Sequence, residues 1–300
     1  MKKIPKNAID EWKQTWKDVQ YEDVLRAPLE SLMSISFFME QLPIREGAKV
    51  IEPGCGSGIM SLFFASKGAN TVCLDTSIEA LTIARSLFRK FGQNSKASFI
   101  LADIRFMPFS DRSFDISFNE GVIEHFEGDD RQRVINEMAR LTTFSGWVGI
   151  CVPNAWNLPY RVWKLSQEKN ASWTFGLEIP FSPVELESRM REAGLKIAVS
   201  GGVGILHSLY LLTISNVPFV NRFFKLFRFL SKKIERILNL YYKGQYDPKV
   251  GVPSFSFKGS GSAFFGLRIP YFTSFRFNKG LGLIASNFAR QIIRLGVVEE

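Results

Sequence analysis

Three hundred residues with an apolar fraction of 46% suit one large α/β domain, or a domain carrying a sizeable insertion, and suffice for a full core. Three cysteines (Cys55, Cys73, Cys151) are too few and too scattered for a disulfide framework or a zinc knuckle, so a reducing, cytoplasmic compartment and no metal site are expected. The net charge of +9 is uneven: residues 1–200 carry −1 and residues 201–300 carry +10, which restricts any membrane or nucleic-acid contact to the last third.

Residues 8–41 place Val24, Leu25, Leu32, Ile35 and Phe38 at helical spacing, and residues 1–45 read as an N-terminal helical cap. The start of the chain is basic but lacks the apolar stretch of a secretory signal. The core, residues 46–204, opens with a short apolar run, Val50–Ile51, then a glycine-rich turn and a helix over Ile59–Lys67. A second strand, Val72–Leu74, ends at Asp75 and Thr76, and a helix follows over Glu79–Phe91. Strands over Ala97–Leu101 and Phe114–Asn119, a helix over Arg131–Leu141 and a strand over Gly146–Val152 complete the alternation. Strands alternating with helices predict a parallel sheet covered on both faces, with ligands at the edge where the strands finish.

After Pro153 the rhythm fails, and residues 154–180, rich in Trp and Tyr, read as a substrate-side loop or lid. Order returns at Ser182, which can cap a helix with Pro183 at its first position. Gly194 ends that helix before a strand over Leu195–Val199. The uncharged stretch Ile197–Asn221 is long enough to span a bilayer, but its glycines and Pro218 split it into two elements. Residues 205–278 form a basic, aromatic-rich helical insertion. Within it, Phe219, Phe223, Phe227, Leu230, Ile234, Leu238 and Tyr241 recur on one side, and Arg222, Lys225, Arg228, Lys232, Arg236 and Lys243 on the other. Residues 219–243 thus have the pattern of a helix lying in a lipid interface, though packing on the core would give the same pattern. Residues 279–300 are expected to hold a closing strand and a C-terminal helix; of two candidates, Ala263–Ile269 and Leu281–Ser286, the second is preferred.

The chemistry concentrates at Glu52-Pro53-Gly54-Cys55-Gly56-Ser57-Gly58. Glycines let a ligand approach the backbone, and the following helix aims free N–H groups at the same place. The spacing is G-x-G-x-G rather than the G-x-G-x-x-G of dinucleotide folds, which counts against NAD or FAD. Asp75 closes the second strand, where a carboxylate can accept ribose hydroxyls, and Asp103 closes the third, placed for an adenine amino group. Asn119-Glu120-Gly121 closes the fourth, and His125, beside Glu124, is the candidate base if the acceptor must lose a proton.

Together these residues resemble the class I S-adenosylmethionine-dependent methyltransferases, most closely the type 11 group that includes quinone-biosynthesis enzymes, with residues 47–152 matching best. The resemblance implies a Rossmann-like, doubly wound, seven-stranded α/β sheet, mostly parallel, with an antiparallel last strand between strands five and six. It implies S-adenosyl-L-methionine as cofactor, with Glu52 and Gly54, Cys55, Gly56 and Gly58 at the methionine end and Asp75 on the ribose. Asp103 and Ile104 would frame the adenine, and Asn119, Glu120 and Gly121 would line the path to the sulfonium. The expected activity is methyl transfer to a small or lipid-like acceptor, cytoplasmic or peripheral on the inner membrane face. Asn119-Glu120-Gly121 is not the Asn/Asp-Pro-Pro-aromatic arrangement of nucleic-acid amino methylases, so an RNA methyltransferase docking through the basic third is the less favoured alternative, and a non-enzymatic membrane adaptor a third.

Overall fold

The computed structural model describes residues 29–204 and 289–299, together with residues 15–17, 19, 24, 208 and 211. The chain runs α1 (Leu29–Gln41), β1 (Lys49–Pro53), α2 (Ile59–Ser66), β2 (Asn70–Asp75), α3 (Ile78–Lys90), β3 (Ala97–Leu101) and β4 (Phe114–Glu120). It continues through α4 (Asp129–Leu141), β5 (Thr142–Pro153), α5 (Leu158–Lys169), α6 (Pro183–Glu192), β6 (Leu195–Val203) and β7 (Gln291–Val298). A single turn of 3₁₀ helix over Ile123–His125 follows β4.

The seven strands form one sheet in the order β3-β2-β1-β4-β5-β7-β6. β7 is antiparallel to β5 and β6, and every other pairing is parallel. The strand order reverses between β1 and β4, which is where ligands of open α/β sheets bind. β1, read from two apolar residues, is buried on both faces from Val50 onward, as parallel strands covered by helices require.

The two faces pack as separate layers. On one, α1 and α2 set Phe38 and Phe64 against Phe118 of β4, with ring centroids 5.7 and 4.4 Å apart. On the other, Val134, Ile135 and Met138 of α4 and Leu186 and Met190 of α6 cover Ile51 and Val148. Local signals fix where helices begin. Ser77 accepts from Ala80 N–H at 3.1 Å, and Ser182 from Glu185 N–H at 3.1 Å with Pro183 behind it.

Two expectations are corrected. The closing strand is Gln291–Val298, where a C-terminal helix was expected, and neither Ala263–Ile269 nor Leu281–Ser286 supplies it; both candidates lie outside the described residues. Its place between β5 and β6 is the one the resemblance implies. Residues 154–180 are not loop throughout, because Leu158–Lys169 is helical. Its N-cap is Asn157, whose side chain accepts from Tyr160 N–H at 2.8 Å. The amphipathic stretch 219–243 also lies outside the described residues. No helix among the described residues is long and apolar enough to cross a membrane.

Candidate active site

β1 ends in a bend whose glycines all adopt the left-handed region, with φ of 74° at Gly54, 50° at Gly56 and 67° at Gly58. At Gly54 the space is closed as well as the conformation: a Cβ there would meet two Val122 methyl carbons at 2.7 and 2.8 Å. Val122 follows β4, so the loops after β1 and β4 meet at this point. At Gly56 a Cβ would meet the ring of Trp16 at 2.6 Å, which places that ring over the bend.

Three carboxylates underlie the bend in different ways. Glu52 is 4% exposed, and its Oε2 accepts from Ser61 N–H at 3.0 Å and Ser61 Oγ–H at 2.5 Å, so it caps the first turn of α2. Burial pushes its pKa up to about 8 against the Ser61 bonds, with Glu120 and Asp75 adding to the rise. Asp75 accepts from Gly56 N–H at 2.8 Å on one oxygen and Ser77 N–H at 2.9 Å on the other. Burial still raises its pKa. Thr76 N–H is a third backbone donor, and the carboxylate's remaining acceptor capacity lets it hold the bend and take a hydroxyl at once. Thr76 is half-buried beside it. The Cys55 side chain lies inward, in the cluster with Leu62, Cys73 and Leu87.

Asp103 is engaged otherwise than expected. Arg105 grips both its oxygens through Nε and Nη2, at 2.6–3.1 Å, and reaches Asp130 at 2.6 Å. Burial opposes ionisation of Asp103, but Arg105 outweighs it and holds the carboxyl below the usual range. Ile104 is buried at 4% exposure on the α4 face. Asn119 is fully buried, its amide nitrogen 3.3 Å from Met138 Sδ and its Oδ1 without a hydrogen-bond partner. Glu120 sits near Cys151, Ser34 and Gln291, and burial pushes its pKa up to about 7. Gly121 has φ 68° and donates its N–H to Cys151 O at 3.0 Å.

His125 is held rather than poised. Its Nδ1 lies 2.5 Å from Leu177 O, and burial lowers its pKa to about 4 although the Leu177 and Gly121 carbonyls favour the charged form. The imidazole ties the loop after β4 to residues 171–181, a positioning task. Sequence reasoning did not single out Trp16, Val122, Tyr160 or Glu178. Tyr160 and Glu178 meet through a short hydroxyl–carboxylate hydrogen bond beside the 3₁₀ turn.

The bend, Glu52, Asp75 and the end of β4 form one connected site. Its groups fit a nucleoside with a charged amino-acid tail: a left-handed backbone bend, a carboxylate with acceptor capacity to spare, and an unpartnered amide oxygen.

Residues 51–150 match the family described as a methyltransferase domain. Methyltransferase GfsG of Streptomyces halstedii is 35% identical over 112 residues, covering 37% of this chain and 40% of that one. A malonyl-[acyl-carrier protein] O-methyltransferase of Enterobacter lignolyticus is 26% identical over 152 residues, covering 50% and 55%. The chain thus spans about half or less of the length of these curated relatives. Among solved structures, the methyltransferase bound to the Trm112 methyltransferase activator of Haloferax volcanii superposes with a TM-score of 0.57 at 15% identity, covering 97% of this chain and 98% of that one. That likeness concerns the fold.

Proposed function

We propose, from a chain whose residues 51–150 are a methyltransferase domain of the class I, S-adenosylmethionine-dependent type 11 group, that the whole protein transfers a methyl group to a small acceptor. The observation that carries this reading is the left-handed Gly54–Gly58 bend with Asp75 pinned beneath it by Gly56 N–H. When bound, S-adenosyl-L-methionine would supply an activated methyl on a sulfonium, so the protein's work is alignment and exclusion of water. Gly54, Gly56 and Gly58 would admit the amino-acid tail, and Asp75 with Thr76 would take the ribose. Ile104 would cover the base, with Asp103 reached only alongside Arg105. Asn119 to Gly121 would border the reacting end. Glu52 would act at one remove, by fixing the start of α2.

A lipid-like acceptor and contact with a membrane face through residues 219–243 belong to the same reading, supported by the amphipathic pattern of that stretch. Titration calorimetry with S-adenosylmethionine tests the core of it. Wild type should bind, and Asp75→Ala and Gly54→Ala should each weaken binding by about tenfold or more. Absence of heat with wild type, or unchanged affinity in both variants, removes the reading.

A further inference from the structure

We propose that the methyl acceptor is an amine, seated in its ammonium form beside Glu124 with Glu178 as the second carboxylate, and that Glu124 takes its proton. This rests on the methyl-transfer reading above and names its substrate class. The turn after β4 carries Glu124 to the border of the site. Its side chain is 1% exposed and its Oε2 has no hydrogen-bond partner. Its Oε1 lies 3.7 Å from where a Cβ on Gly121 would stand and 3.9 Å from His125 Nε2, so the carboxylate faces the end of β4.

Residues 171–181 return over this turn. Ile179 N–H donates to Glu124 O at 2.8 Å, and Glu178 comes near enough for its charge, with that of Glu120, to act on Glu124. The neighbouring cations have other partners, although the charge of Arg131 reaches Glu124 and that of Lys164 reaches Glu178 from a distance. Arg131 pairs with Glu185 at 3.1 Å and with the Ile179 carbonyl at 3.1 Å, and Lys164 pairs with Glu168. Among the described residues no Lys or Arg comes within ion-pair distance of Glu120, Glu124 or Glu178, and His125 is held neutral. A buried carboxylate oxygen with no hydrogen-bond donor is expensive to keep.

A metal ion is not the natural guest, because no three His, Cys, Asp or Glu side chains among the described residues are grouped to hold one. An acidic or phosphorylated acceptor would be repelled. An ammonium satisfies Oε2 directly, and the adjoining aromatic row already takes cations of the chain itself, with Lys164 Nζ 4.2 Å from the Trp173 ring centroid and the Arg290 guanidinium carbon 6.0 Å from that of Trp163. Tyr160, Trp163, Trp173 and Phe175 follow one another with ring centroids 6.4, 5.5 and 5.1 Å apart.

The proton step then balances. The ammonium gives one proton to the Glu124 carboxylate, leaving a neutral amine and a carboxylic acid. The nitrogen lone pair forms the new C–N bond as the methyl carbon leaves sulfur, whose bonding pair stays behind as a thioether. Glu124 afterwards releases its proton to water. Burial and the Glu178 charge raise Glu124 well above an ordinary carboxylate, which suits it to this exchange better than His125.

Three probes of similar skeleton test the class: phenethylamine, 2-phenylethanol and 3-phenylpropionate, each titrated into the full chain with S-adenosylhomocysteine present, by calorimetry and tryptophan fluorescence. The amine should bind about tenfold or more tighter than the alcohol, and the acid not measurably. Glu124→Gln should remove that preference while leaving alcohol binding in place, and Glu178→Gln should weaken it if Glu124→Gln does not fold. Equal or tighter binding of the alcohol or acid overturns the proposal, as does an amine preference that survives both variants. S-adenosylmethionine titrated into the same preparation separates failure of the acceptor assignment from failure of the methyltransferase reading.

Discussion

At the end of β1 the Glu52 carboxyl, buried beneath the glycine bend, is pushed up to about 8, against about 4.5 for the same group in solvent. The folded chain therefore keeps a proton that the unfolded chain has released. Stability is full below about pH 4.5 and falls as pH rises through about 8, by at most ~1.4 kcal/mol per pH unit. Glu120, pushed to about 7, contributes in the same direction but is largely titrated by pH 7.5. Glu52→Gln should therefore flatten the decline in melting temperature between pH 7 and 8 while leaving the Ser61 contact as a neutral hydrogen bond. A slope as steep as that of wild type over that interval would show that another group carries it. The motif around Glu52 was legible because glycine spacing and strand-end acids are written in the chain. The state of each side chain was not. That Glu52 caps α2, that Arg105 grips Asp103 and that His125 lies between two carbonyls depend on residues 2 to 52 positions away.

Strand β7 shows how an element can escape a reading by pattern. The segment Gln291-Ile-Ile-Arg-Leu-Gly-Val-Val is interrupted by Arg294 in an otherwise apolar run, yet Arg294 is fully buried. Its guanidinium donates to Glu187 of α6 at 2.7 Å and to the carbonyls of Gly201 and Ile293. The charge clips the inserted strand to the helix above it. Helix α5 was missed for a lesser reason: Asn157-Leu158-Pro159 is a start signal of ordinary kind, masked by the aromatic residues after it. The buried pair predicts an asymmetry. Glu187→Ala strands a cation in the core and should cost about 3 kcal/mol, whereas Arg294→Met leaves only the 16%-exposed Glu187 side chain, which can find water, and should cost about 1 kcal/mol. Urea denaturation with unchanged m-values reads both. Equal losses would mean that Arg294 matters for its packing rather than its charge.

Across the whole molecule, the alternation of elements announced a parallel sheet and the resemblance implied the last strand between the fifth and sixth, but the full order β3-β2-β1-β4-β5-β7-β6 came from the structure, because strand order is not recorded in spacing. Nor does spacing show which distant segment will cover a site. Trp16 is separated from Gly56 by forty positions, yet it packs against the apolar cluster that contains Cys55 and lies over the bend. A large ring there excludes water from one wall of the crevice and adds apolar contact to whatever the bend holds. Trp16→Ala should therefore weaken S-adenosylmethionine binding by about tenfold, mainly through faster dissociation. The ligand should then raise the melting temperature of the variant less than that of wild type, since stabilisation follows the ratio of ligand concentration to Kd. Stopped-flow dissociation and thermal unfolding measure the two effects. Tighter binding by the variant would carry the opposite meaning: the ring would stand in the cofactor's own place and have to leave before the site could fill.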